Sequence, residues 1–211
     1  LSPADLASNA RKIQMILNGD ERTETVADAP ALAAFIADRG PRLFRLYEKI
    51  LNGAGRDRNV ADARLHPERW RVPGSREFLI YLRDIGCINY FVTGAVIYDE
   101  GGMREEVEAL GLEVGPGKMV ESLRGSSWDK KMPKDVWMRQ IIEEEGITPH
   151  EVLIVGDGRT EIKAGVELGC VTISRLTPRD TRQRAIQTAL GVHLILPDYT
   201  DPVLRRMCCA E

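Results

Sequence analysis

The run Val-Leu-Ile-Val-Gly-Asp-Gly-Arg-Thr-Glu at residues 152–161 constrains this chain more than any other stretch. Three of its four leading apolar residues are β-branched, which predicts a buried strand. Gly156, Asp157 and Gly158 break that strand. From Glu161 onward, Ile162, Gly165, Val166 and Gly169 fall on one helical face. An acid therefore stands just past the carboxyl end of a strand, beside a helix start. Open α/β sheets bind their ligands at that place.

The flanking sequence repeats the same unit. Phe78, Leu79, Leu82 and Ile85 predict a helix that stops at Gly86, followed by a strand over 88–92 ending at Thr93-Gly94. Met103, Val107 and Leu110 mark a helix ending at Gly111, and residues 115–131 read as irregular. Pro133 suits the first turn of a helix with Trp137, Met138, Ile141 and Ile142 on its apolar face, terminated by Gly146. After the central strand come a helix from Glu161, a strand over 170–174, a helix around 182–190 and a last strand near 193–196. This alternation predicts βα units and a parallel sheet. Residues 1 to about 70 read instead as wholly helical. Leu6, Ile13, Ile16 and Leu17, then Leu32, Phe35 and Ile36, then Leu43, Leu46, Tyr47, Ile50 and Leu51 all keep helical spacing. The expected organisation is a small helical domain over 1–70 and an α/β domain over 71–211.

Composition removes several function classes. A net charge of −3 with no long basic run argues against a nucleic-acid surface. The apolar stretches are far short of the ~20 residues of a membrane span, and no signal-peptide pattern opens the chain. The four cysteines, Cys87, Cys170, Cys208 and Cys209, form no Cys-x-x-Cys pair, and there are only three histidines. A zinc site or a disulfide framework is not expected, and the setting reads as reducing and cytoplasmic. Cys87 and Cys170 each follow a glycine and enter an apolar run, so both are expected as buried thiols.

Three features fall at the ends of consecutive units. Thr93 follows one strand, Lys131 precedes the helix leading into the next, and Asp157 with Glu161 follows that next strand. A hydroxyl, an ammonium and two carboxylates at one sheet edge suit a magnesium-dependent phosphate site. Thr93 and the Gly94 amide would hydrogen-bond a phosphoryl oxygen, and Lys131 would neutralise its charge. The carboxylates of Asp157 and Glu161 offer hard oxygen ligands to magnesium. Each residue also has a plainer reading. Asp157 is ordinary turn chemistry, Glu161 suits a helix N-terminus, and Lys134 competes with Lys131 for the phosphate. Trp128 and Trp137 read as packing residues.

These motifs, in this order, resemble the haloacid-dehalogenase-like (HAD) phosphatase superfamily. Phe91-Val92-Thr93-Gly94 resembles its second motif, Lys131-Met132-Pro133-Lys134-Asp135 its third, and Gly156-Asp157-Gly158-Arg159-Thr160-Glu161 its fourth. Val72-Pro73-Gly74 resembles the return from a helical (C1-type) cap. The resemblance implies a Rossmann-like core over about 72–200, with residues 1–70 as an α-helical cap. It further implies a phosphoric monoester hydrolase acting on a small phosphorylated metabolite with Mg2+ through an aspartyl-phosphate.

One departure matters. The family's first motif is an apolar strand ending in Asp-x-Asp, whose first Asp is the nucleophile. No such strand occurs here: Asp5 follows Leu-Ser-Pro-Ala, and Asp198 and Asp201 lie in Leu-Pro-Asp-Tyr-Thr-Asp-Pro. The expectation is that the nucleophile lies upstream of Leu1. The core would then carry a strand slot between residues 88–92 and 152–155, vacant or filled by a foreign strand. Two other readings stand beside this one. One is a catalytically inactive binding or structural module. The other is a nucleotide-binding domain using Gly156-Asp157-Gly158, which lacks the usual phosphate-loop glycine and lysine pattern.

Overall fold

The computed structural model describes residues 54–97, 103–127 and 132–208. The helices expected over residues 1–53, Lys131, Trp128 and Cys209 lie outside them. The chain divides into two compact units, Leu1–Asn59 and Val60–Glu211. Helix α1 (Ala54–Leu65) runs across that division and is followed by the short α2 (Pro67–Trp70). Within the second unit Val60 and Ala63 of α1 bury against Ala109.

The second unit then alternates helix and strand: α3 (Ser75–Asp84), β1 (Tyr90–Val96), α4 (Met103–Ala109), β2 (Ser122–Ser126), α5 (Lys134–Glu145), β3 (Leu153–Gly156), α6 (Arg159–Leu168), β4 (Val171–Arg175), α7 (Thr181–Ala189), β5 (Leu194–Leu196) and α8 (Val203–Cys208). Every strand pair is parallel. Among the described residues no helix is long and apolar enough to cross a membrane.

Strands β3, β4 and β5 form one sheet in that order. Alternation along β3 assigns its two faces. Leu153 and Val155 pack with Phe78, Leu82, Ile173, Leu196 and Leu204, under α3 and α8. Ile154 packs the other way, with Met138, Ala164 and Cys170, under α5 and α6. Both faces are covered, which is why this strand reads as an unbroken apolar run. Helix α6 lies close on the sheet because Gly165 has no side chain. A Cβ there would stand 2.7 Å from Thr172 Cγ2 and 2.9 Å from Ile154 Cδ1. Gly74, at φ +74°, begins α3, and a Cβ there would meet the Tyr199 carbonyl carbon at 2.7 Å.

Strands β1 and β2 form a second sheet. Tyr90 to Val92 pair with Ser122 to Arg124, and then Val96 pairs with Ser126. Four steps on β1 match two on β2, so β1 bulges at residues 93–95. Strand β2 corrects the irregular reading of 115–131. Its sequence Ser-Leu-Arg-Gly-Ser carries a single apolar side chain, so no hydrophobic pattern announces it. Close approach requires the small residues. A Cβ on Gly125 would lie 2.8 Å from both the Ala95 carbonyl oxygen and Thr93 Cγ2. Among the described residues β1 and β3 belong to different sheets, and no strand joins them.

Cys170 is buried, whereas Cys87 is exposed, which corrects the expectation of two buried thiols. Cys87 lies in the turn between α3 and β1, ahead of the apolar run and outside the sheet.

Candidate active site

The central turn is built around Glu161. Gly158 caps α6, and its N–H donates to Glu161 Oε1 at 2.7 Å. The other oxygen, Oε2, accepts from Lys134 Nζ at 3.0 Å, and the residue is only 7% exposed. Burial alone would raise this carboxyl. Hydrogen bonds from its own helix amide and from Gly158, with the Lys134 ammonium, more than offset that and hold it below the usual carboxylate range. The two glycines of Gly-Asp-Gly make room for this carboxylate. A Cβ on Gly156 would sit 2.5 Å from Glu161 Cγ, and one on Gly158 would sit 2.7 Å from both carboxylate oxygens. Gly158 has an ordinary extended backbone, so the requirement is space and not a left-handed turn.

Asp157 stands at the outer side of the same turn with its side chain 61% exposed. Its Oδ2 accepts from Arg175 Nη2 at 2.9 Å, and among the described residues its carboxylate has no other donor. Its carbonyl oxygen accepts from Gln187 Nε2 at 2.8 Å. Gln187 is fully buried on α7, and its Oε1 accepts a hydrogen bond from the buried Ser174 hydroxyl. The Asp157 peptide is thus fixed by α7 while its carboxylate faces solvent. Neither Arg175 nor Gln187 was expected from the sequence. An arginine at a strand end and a glutamine inside a helix carry no local signal. Sheet register brings them in, since Gly156 pairs with Ser174 and places Arg175 beside Asp157.

Thr93 and Gly94 lie in the β1 bulge rather than past a strand end, because pairing resumes at Val96. Bulges re-aim side chains and backbone groups next to functional sites. Thr93 Oγ1 accepts from the Ala95 N–H at 3.1 Å. The Gly94 carbonyl accepts from Ser126 Oγ at 3.1 Å, and the same hydroxyl accepts the Met132 N–H at 3.0 Å. Ser126 is fully buried and ties the bulge to the segment entering α5. Trp137 on α5 donates its Nε1–H to the Gly125 carbonyl at 3.0 Å, with Arg124 over its ring at 5.4 Å, a packing role.

Helix α5 therefore links both halves of the site. Its start is bonded to β2, and Lys134 in its first turn reaches the turn after β3. The structure brings together Lys134 and Glu161, and separately Asp157 and Arg175. Lys131 lies outside the described residues. No hydrogen bond or ion pair among the described residues joins Thr93 to Asp157.

Magnesium takes several hard oxygen ligands. Among the described residues no three His, Cys, Asp or Glu side chains group to hold a metal ion. Asp157 fits as one ligand: a hard, exposed carboxylate with one oxygen open. Glu161, expected as the second ligand, has both oxygens engaged.

The described residues define a parallel α/β protein in which helices alternate with strands. Comparison with solved structures narrows this to the haloacid-dehalogenase-like fold. A conserved haloacid dehalogenase-like protein of unknown function from Agrobacterium tumefaciens superposes with a TM-score of 0.54 at 13% identity, over 97% of this chain and 91% of that one. A HAD family hydrolase from Deinococcus radiodurans, solved with bound phosphate and sodium, gives 0.50 at 17% identity, over 92% and 84%. A putative beta-phosphoglucomutase from Bacteroides vulgatus gives 0.46 at 19% identity, over 67% of this chain, which spans 56% of that protein. No family model matches the sequence, and no curated protein matches it either. The chain has the HAD-like fold, an α/β Rossmann-like core.

Proposed function

We propose that this protein is a magnesium-dependent phosphatase of a small phosphorylated metabolite, acting through an aspartyl-phosphate. The observation that carries the reading is the turn after β3. It holds an exposed Asp157 carboxylate on a pinned backbone, four residues before a buried Glu161 that is paired with the half-buried Lys134. The Deinococcus hydrolase, which shares the fold, was solved with bound phosphate, and this supports phosphate as the ligand type.

In this reading Asp157 contributes one metal ligand. When bound, magnesium would supply charge neutralisation for the phosphoryl oxygens. The Thr93 hydroxyl and the Gly94 amide would donate to the phosphoryl group from the β1 bulge. A lysine at the start of α5 would balance the negative charge that builds up as the phosphoryl group transfers. Lys131 takes that role by motif spacing. Lys134 is the alternative, and its contact with Glu161 fits a lysine held in place at the site. Glu161 would act from behind, fixing Lys134 and the turn. The nucleophilic aspartate and its acid/base partner belong to an apolar strand ending in Asp-x-Asp that these 211 residues do not contain. In this reading such a strand would join β1 to β3, which lie in separate sheets among the described residues. Residues 1–70, which the sequence pattern predicts as helical, would serve as the cap that shapes access to the substrate.

The test is acid-quench trapping with the full-length protein and a labelled phosphomonoester. The expected result is a hydroxylamine-labile phosphoenzyme that forms within one turnover. Absence of any labelled protein, across a broad panel of phosphomonoesters, would return the reading to an inactive binding module.

A further inference from the structure

Ser126 is fully buried, and it bonds in three directions. Its hydroxyl donates to the Gly94 carbonyl at 3.1 Å and accepts the Met132 N–H at 3.0 Å. Its own carbonyl accepts the Ile97 N–H at 2.9 Å. One residue of β2 therefore holds the β1 bulge at two points, and also holds the segment that enters α5.

The hold on Gly94 reaches Thr93. A trans peptide is planar, so fixing the Gly94 carbonyl also fixes the Ala95 N–H on the other side of the same plane. That N–H donates to Thr93 Oγ1 at 3.1 Å. The Thr93 methyl faces Gly125, where a Cβ would stand 2.8 Å from it. A β-branched side chain has few χ1 choices, and the methyl contact and the Ala95 bond both bear on that one torsion. Thr93 Oγ1 accepts from Ala95, which leaves its own proton free to donate elsewhere.

We propose that Ser126 is a positioning residue for a bound phosphoryl group, setting the aim of the Thr93 hydroxyl and its spacing from the lysine segment at the start of α5. The inference rests on the reading of Thr93 and that segment as phosphoryl-holding groups. Ser126 itself touches no substrate and acts through the Gly94–Ala95 peptide and the Met132 amide. Alanine at this position removes the donor to the Gly94 carbonyl and the acceptor for the Met132 N–H together. The bulge and the start of α5 then lose the side chain that ties one to the other, and the Thr93 donor is misdirected.

The test is competitive inhibition of aryl phosphate hydrolysis by inorganic phosphate, with the full-length protein. In Ser126→Ala the inhibition constant and KM are both expected to rise about tenfold, as one hydrogen bond to a charged group is misdirected. A substitution that only lowers the folded fraction cuts kcat and leaves both constants unchanged. Ser126→Cys keeps nearly the same volume with a weaker donor and acceptor. It is expected to move both constants in the same direction, and it carries the comparison if the alanine variant does not fold. In a Thr93→Ala background, Ser126→Ala is expected to cost at most about threefold further, because the two residues act as one unit. Unchanged constants in the Ser126 variants, or an equal loss with and without the Thr93 hydroxyl, would overturn the positioning role and leave the phosphatase reading standing. If Thr93→Ala keeps the wild-type constants, or if the wild type hydrolyses no aryl phosphate, the phosphate reading of Thr93 fails and this inference fails with it.

Discussion

Glu161→Gln is the most informative single perturbation of the turn. Glutamine has nearly the same shape and keeps an acceptor for the Gly158 amide, so the change removes mainly the negative charge. Lys134 then loses its partner at 3.0 Å, in a site where its own side chain is 27% exposed. The gross attraction of such a pair is about 5.5 kcal/mol at an effective dielectric of about 20, before desolvation is subtracted. A hydrogen bond to a charged group contributes about 1.5–3 kcal/mol net, and the partial exposure of Lys134 puts this pair at the lower end. The expected cost is therefore about 1.5 kcal/mol, or about 3–6 °C in Tm for a domain of this size. The assay is a double-mutant cycle with Lys134→Met, followed by urea unfolding and by thermal melting. The two substitutions should couple by about 1 kcal/mol, with Lys134→Met costing little further in the Glu161→Gln background. Strict additivity would refute the account, because the carboxylate would then be held by its helix amides alone. The cost should also be the same in chelator and in magnesium, since both Glu161 oxygens are already engaged.

The pH dependence of the same variant has a fixed sign. The folded Glu161 carboxyl lies below its ordinary value, so its contribution is fully present above about pH 4.3 and is lost as the pH falls through the folded value. The Tm gap between wild type and Glu161→Gln should be constant from neutral pH to about 5 and should close in more acidic buffer. Gly158→Ala should cost about 1–3 kcal/mol in urea unfolding, because its Cβ must displace the Glu161 carboxylate. Gly74→Ala combines a left-handed backbone with contacts of 2.7–2.9 Å to the Tyr199–Thr200 backbone, and should cost about 2 kcal/mol or more by the same measurement.

The legible parts of this chain are those set by local pattern. The β3–turn–α6 unit, the proline start of α5 and the glycine stop at Gly146 all follow from short-range rules. What sequence could not supply depends on register and on contacts between distant elements. Strand β2 hides because its place against β1 demands Gly125 and Ser126, not apolar bulk. Gly94 reads as a strand terminator, yet β1 continues through a bulge to Val96. The Gly-Asp-Gly run reads as turn chemistry, but its glycines serve the Glu161 carboxylate. Arg175 and Gln187 reach Asp157 only because β4 pairs with β3 and α7 packs beside them. Glu161 had two readings in sequence, helix N-terminal acid and metal ligand; one oxygen meets the Gly158 amide as the first requires, and the other meets Lys134, which neither anticipated.

The central claim is that Asp157 serves a magnesium-dependent phosphoryl site. Its most direct test is hydrolysis of an aryl phosphate by the full-length protein, in magnesium and in chelator, for wild type and Asp157→Asn. The account predicts turnover that requires magnesium and falls at least about a hundredfold in the variant. Turnover that survives both the chelator and the substitution would contradict it.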